Sequence, residues 1–326
     1  MVIIYRKQCI CFPEVLLFVL LLFCVLFCSG CGSASGGSGG SGKNSSSSAV
    51  IQYEAGKTTV LVPVFETADD SVSNDLLDVD FSHTDQGYFT CVLKEDGAKV
   101  NIQISGPDGV NYKYFIETAD EVTAFPLTAG DGTYAVVGYE NIGGDQYTAL
   151  FACTLDVELE SEFLPFLYPN QYVSFTEDSE AVKLAAELTV DAETDLDALN
   201  NIYDYIINHI VYDYEKAATV ETGYLPDIDE TLATGTGICF DYASLTSAML
   251  RSVSIPARLV IGYVEDVRHA WIDVYIESRG WVESAIQFSG ENWTLLDPTL
   301  GSSGSDEEAA AEYMSDSDNY TVLYVR

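Results

Sequence analysis

GICFDYASLTSAMLRS, residues Gly237 to Ser252, sets a cysteine at the threshold of a helix, with Gly235 and Gly237 just before it. Leu245, Ala248 and Met249 fall at helical spacing, and Ser254-Ile255-Pro256 stops the pattern. A thiol at a helix start meets unsatisfied backbone N–H groups and the positive end of the helix dipole, both of which favour the thiolate. The thiolate is the nucleophilic form, and such settings can lower a cysteine pKa to roughly 3.5–7.5. The two glycines are expected to let the backbone turn tightly and leave room for a substrate carbonyl near the Cys239 amide. Alone, however, a helix-start cysteine reads first as a small core residue.

Upstream of this helix the spacing predicts two others. TEDSEAVKLAAELTV offers Thr176 and Asp178 as caps, and DLDALNNIYDYIINHIVYDY carries Leu196, Leu199, Ile202, Ile206 and Ile210 on one stripe. His209 lies beside that stripe, as a packing or surface residue. Downstream come the strands ARLVIGYV, HAWIDVYIE, GWVESAIQF, WTLLDPT and NYTVLYV. Helices followed by an antiparallel sheet describe an α+β domain over residues 161–326. Before it, residues 49–160 run through short alternating stretches, from KTTVLVPVF to YTALFACTLDVEL, separated by turn signals such as EDGA and AGDGT. That pattern predicts a β-sandwich. His83 falls in a polar stretch with no second ligand at a metal-binding spacing, and reads as a loop residue.

Two residues after the cysteine helix change its reading. His269, in RHAWIDVY, could take the thiol proton and later deliver one to a leaving amine. Asp297, in LLDPTL, could hold the imidazole in the right tautomer. Each has a plainer alternative, an edge-strand histidine and a turn former before Pro298. The Cys239 backbone N–H is a first candidate oxyanion donor, with Tyr212 or Tyr214 as a second or as packing residues. Trp271 reads as a wall of the cleft.

GICFDYASLTSAMLRSVSIPARLVIGYV, HAWIDVY and WTLLDPT together resemble the core of the transglutaminase-like superfamily, whose fold is papain-like, and bacterial surface proteins that carry it. The resemblance covers about residues 161–326. It implies Cys239 as nucleophile, His269 as base and Asp297 as orienting acid, with Asp273 and Glu283 as fallbacks because RGWVESAIQFSGEN lengthens the interval between the last two. It further implies a thioester formed from a glutamine side chain or a peptide amide and resolved by water or an amine, with no cofactor and no metal. The alternative is an inactive surface module that binds or scaffolds peptides.

The remaining features concern where such an enzyme would work. Arg6 and Lys7 precede the apolar run Val15 to Phe27, the layout of a secretory signal over residues 1–30, too short for a span of about 20 residues. Ser29-Gly30-Cys31 resembles a lipoprotein cleavage site, with Cys31 the acylated residue, and residues 31–48 form a Gly/Ser tether. The expected location is the extracellular face of the membrane, lipid-anchored, as a monomer acting on a protein or peptidoglycan peptide. Without residues 1–30 the 14 basic and 51 acidic residues become 12 and 50, a net charge of −38. Such a surface repels nucleic acid. The acidic stretches DAETDLD and PDIDE lack the spacing of a calcium loop. Cys91 and Cys153 have inward strand parity and could be bridged to each other or remain buried thiols.

Overall fold

Alternation of apolar and polar residues produces the first half of the fold, as the burial of strand Asn111–Ile116 shows: exposed and buried residues alternate without exception. The computed structural model describes residues 8–11, 52–67, 70–264, 266–282, 286–289, 292–295 and 320–326. In chain order the first strands are β1 (Gln8–Cys11), β2 (Ser71–Ser73), β3 (Leu77–Asp80), β4 (Tyr88–Leu93) and β5 (Val100–Ser105). They are followed by β6 (Asn111–Ile116), β7 (Val122–Pro126), β8 (Gly132–Gly143) and β9 (Gln146–Val157). One sheet has the order β1-β9-β8-β5-β6 and the other β2-β3-β4-β7, antiparallel throughout. Inward residues of both sheets, among them Phe89, Cys91, Ile102, Tyr114 and Phe151, form one apolar core. The sandwich is therefore present.

Two expectations in this half are corrected. KTTVLVPVF joins no sheet: residues 57–65 run as an extended strap whose hydrogen bonds go to both halves of the molecule. Tyr53 Oη donates to the Thr189 and Ala192 carbonyls, and the Gly56 and Thr59 amides donate to the Thr189 and Ser252 carbonyls. Further on, the Val64 amide donates to the Tyr88 hydroxyl and the Glu66 amide to Asp80 Oδ2. Cys91 and Cys153 are both buried, as their parity required, but they are not joined to each other. Cys91 is a free thiol, pushed well above the usual pKa by burial and by nearby Asp80, whereas Cys153 is in a disulfide. Cys9 of β1 stands directly opposite Cys153 in the strand register. Of the expected leader, only residues 8–11 are described; Cys31 and the tether lie outside the described residues.

The second half contains α1 (Glu180–Leu188), α2 (Asp195–His209), β10 (Val211–Tyr212), α3 (Tyr214–Thr219), α4 (Ile228–Thr234), β11 (Thr236–Gly237) and α5 (Cys239–Ser252). Strands β12 (Ala257–Val264), β13 (Val267–Ile276), β14 (Gly280–Val282), β15 (Ile286–Ser289), β16 (Asn292–Leu295) and β17 (Tyr320–Val325) follow. The main sheet has the order β14-β13-β12-β17, and β15 and β16 pair separately. The stretch expected as one strand, GWVESAIQF, is thus divided between β14 and β15. Helices α1 and α2 stand where the periodicity put them, although Ser179, not Thr176 or Asp178, takes the cap position of α1. Thr194 caps α2 in a reciprocal box with Asp197. The short helices α3 and α4 were not expected.

Helix α5 is the axis of this half: every residue from Asp241 to Ser252 is buried. A helix covered all round needs small residues and satisfied polar groups. Ala243 and Ala248 provide the first, while Ser244 and Thr246 donate to the Tyr172 and Tyr242 carbonyls. At its far end Arg251 is fully buried, donating to the carbonyls of Tyr168, Ala257 and Arg326. Burial lowers its pKa, yet those contacts tie the segment around Tyr168 between the two halves, the start of β12 and the residue after β17 to one helix turn.

Candidate functional site

Cys239 opens α5 because the chain before it is held from two directions. Gly235 ends α4 in the left-handed conformation, with φ 65°. Beyond it, β11 lies parallel to β10, Thr236 against Val211 and Gly237 against Tyr212. Gly237 has a different use from the one expected. A Cβ there would lie 2.8 Å from Asp241 Cβ, so the glycine makes room for the Asp241 side chain. That side chain folds back over the helix start, where Oδ2 accepts from the Ile238 amide at 2.7 Å.

Asp241 is fully buried, and its remaining acceptor capacity is used by two residues that the sequence reading did not single out. Tyr224 Oη donates to Oδ1 at 2.5 Å, and Lys216 Nζ of α3 lies 2.9 Å from Oδ2. Lys216 Nζ also donates to Tyr224 Oη at 2.7 Å. Burial and the Asp241 hydrogen bond push the Tyr224 hydroxyl up to about 12. Burial works against the Lys216 charge, but its bonds to Asp241 and Tyr224 outweigh that and leave its pKa above that of an ordinary lysine.

Cys239 is a partly exposed free thiol at one side of a long groove of about 2120 Å³. His269 borders the same groove, in a consecutive run with Arg268 and Ala270 at the start of β13. Strand alternation gives His269 the parity of Trp271 and Asp273, while Ala270, Ile272 and Val274 enter the core that contains α5. The opposite wall is the sandwich: Phe115 and Ile116 of β6 and Val122, Thr123 and Ala124 of β7, both edge strands.

Of the other candidates, Tyr212 borders the groove with its backbone beside Gly237, whereas Tyr214 is 69% exposed and does not border it. The two rings meet edge to face at 4.9 Å. Trp271 is 1% exposed and lies opposite Val260 in the β12–β13 register, so it is a buried sheet residue and not a wall of the groove. Asp273 is buried opposite Arg258. Asp297 and Glu283 lie outside the described residues. His209 is on the surface, stacked on Tyr205 with Nδ1 2.7 Å from the Tyr205 carbonyl oxygen. His83 stacks on Tyr88 and stands 3.9 Å from Glu66.

Residues 182–285 match the family model of the transglutaminase-like superfamily, a stretch that begins in α1 and includes both Cys239 and His269. That stretch is thus similar to a transglutaminase-like core. Over 132 residues it is 29% identical to human kyphoscoliosis peptidase, covering 37% of this chain and 18% of that protein. Over 119 residues it is 29% identical to the uncharacterised protein YebA of Bacillus subtilis, covering 30% of this chain and 16% of YebA. The matched stretch is thus less than a fifth of either relative. Among solved structures, the transglutaminase of red sea bream aligns with a TM-score of 0.26 and 13% identity over 67% of this chain and 49% of that one. In this chain the matched stretch follows a strand-rich region, in a mixed fold of helices and sheets.

Proposed function

We propose that the groove is the active site of a cysteine enzyme that attacks protein or cell-wall peptide amides. In this reading Cys239 supplies the nucleophilic sulfur, His269 takes its proton, and Asp297 orients the imidazole. The sulfur adds to the amide carbonyl, His269 returns the proton to the leaving amine, and the thioester is resolved by water or a second amine. The observation that carries this reading is that a partly exposed thiol at the first turn of α5 and an imidazole on β13 border one groove within a transglutaminase-like core. The groove's far wall, with the half-exposed apolar residues Phe115, Val122 and Tyr147, suits a polypeptide.

The test is incubation with a peptide mixture and a fluorescent amine, using Cys239→Ser as control. Labelled product indicates transfer and cleavage without label indicates hydrolysis; the absence of both, with the control indistinguishable, removes the reading. Export and acylation of Cys31 belong to the same proposal. Detergent-phase partitioning that survives Cys31→Ala would remove that part.

The parity of His269, shared with Trp271 and not Ala270, favours a second reading in which the groove holds peptides without chemistry. In that case His269→Ala leaves alkylation of Cys239 by iodoacetamide unchanged at every pH.

A further inference from the structure

The carboxylate of Asp241 raises an electrostatic question. It sits two residues from Cys239, fully buried, on the same helix terminus whose positive end would favour a thiolate. Two anions there compete for one partial positive charge, and an uncompensated carboxylate disfavours the second. Lys216 answers that carboxylate directly at 2.9 Å, from a different element, and together with Tyr224 saturates it. The amino group also stands 4.5 Å from the Tyr224 ring centroid, which fixes it further. Both Lys216 and Tyr224 border the groove that holds Cys239. The other titratable or charged groups on that groove are Glu177 and Asp178 just before α1, Tyr212, Glu221, Arg268 and His269 on the helical side, Lys99, Lys113, Glu117, Glu121 and Tyr147 on the sandwich side, and Tyr172, Tyr324 and Arg326.

We propose that Lys216 is a positioning residue for Cys239: its ion pair with Asp241 neutralises the buried carboxylate, so that the helix start caps itself and still leaves its positive end to the sulfur. The inference rests on Cys239 being the nucleophile. It assigns α3, which reaches over the start of α5, the task of carrying that cation.

The test is alkylation of Cys239 by iodoacetamide from pH 5 to 9, read by mass spectrometry of the labelled peptide in the full chain. Lys216→Met should lower the rate at pH 6.5 about tenfold and move the midpoint up by about one pH unit, the size expected for one partly solvated charge lost nearby. Lys216→Arg should stay within about twofold of the parent. Asp241→Asn, which keeps an acceptor for the Ile238 amide, should move the midpoint down. A merely structural cluster would shift Lys216→Met and Asp241→Asn in the same direction, or Lys216→Met and Lys216→Arg alike; either result overturns the proposal, as does a Lys216→Met profile identical to the parent. Should Asp241→Asn fail to fold, the methionine and arginine variants of Lys216 decide alone. The catalytic reading fails separately, if His269→Ala leaves the parent profile unmoved while the Lys216 and Asp241 variants still move it in opposite directions.

Discussion

Among the described residues the sandwich and the helical half each hold one free thiol, and their surroundings differ in the respects that control reactivity. Cys91 lies in the middle of β4, fully buried in a continuous apolar core, with burial and Asp80 pushing its pKa well up. Cys239 starts a helix at the edge of a core, partly exposed on a groove, with a lysine and a tyrosine gathered around the nearest carboxylate. Burial alone makes a cysteine inert, whereas exposure at a helix terminus supplies access and positive potential together. The two thiols therefore serve as internal controls for one another.

Alkylation should separate them by the widest margin. In native protein Cys239 should react with iodoacetamide at least about ten-thousandfold faster than Cys91, whose reaction waits on opening of the sandwich. Peptide mass spectrometry at successive times reads both sites at once, and comparable rates would break the contrast. Next in size, Phe89→Ala should cost about 3–5 kcal/mol in chemical denaturation, because the ring is fully buried and stacked 5.0 Å from Phe125. It should also raise Cys91 labelling while leaving that of Cys239 little changed. Gly237→Ala should cost about 1–3 kcal/mol, since the added methyl meets Asp241 Cβ, and should slow Cys239 alone. Thr194→Ala, at the cap of α2, should cost about 1 kcal/mol. Tyr214→Ala, on an exposed ring outside the groove, should change stability by no more than about 0.5 kcal/mol and leave both thiols as they were.

Much of this was legible because period and burial are linked. Strict alternation placed β6, the inward parity of Phe89, Cys91 and Leu93 and of Phe151, Cys153, Leu155 and Val157 placed β4 and β9, and the apolar stripe from Leu196 to Ile206 placed α2. The cysteine helix could be read from its own composition. The strap at residues 57–65 could not, since its alternating residues satisfy their amides on two separate bodies and no strand pairs with it. Helices α3 and α4 were missed because each is shorter than two and a half turns, too brief for a periodic stripe. Their caps, however, were visible. Asp227 receives the Asp229 and Glu230 amides, so the acidic stretch PDIDE is a helix start, and Asp213 receives the Lys216 amide. DAETDLD likewise resolves into the cap of α2 through Thr194 and Asp197. At the site, Asp241 lay within the quoted cysteine stretch itself, at the third position of its helix, where a carboxylate reaching back to the cap amide is a known signal. Its partners Lys216 and Tyr224 come from 25 and 17 residues upstream and could be found only by folding the chain.

The strap carries a consequence for how the molecule divides. Tyr53, Gly56 and Thr59 attach to the helical half before Val64 and Glu66 attach to the sandwich, so the polypeptide visits the helical half twice, on either side of its excursion through the strands. A fragment cut to begin at residue 161 would omit Tyr53 and Val60, which pack against the core it is meant to preserve. Recombinant dissection of the enzyme-like lobe therefore calls for splicing residues 52–62 back on, or for keeping the whole chain intact.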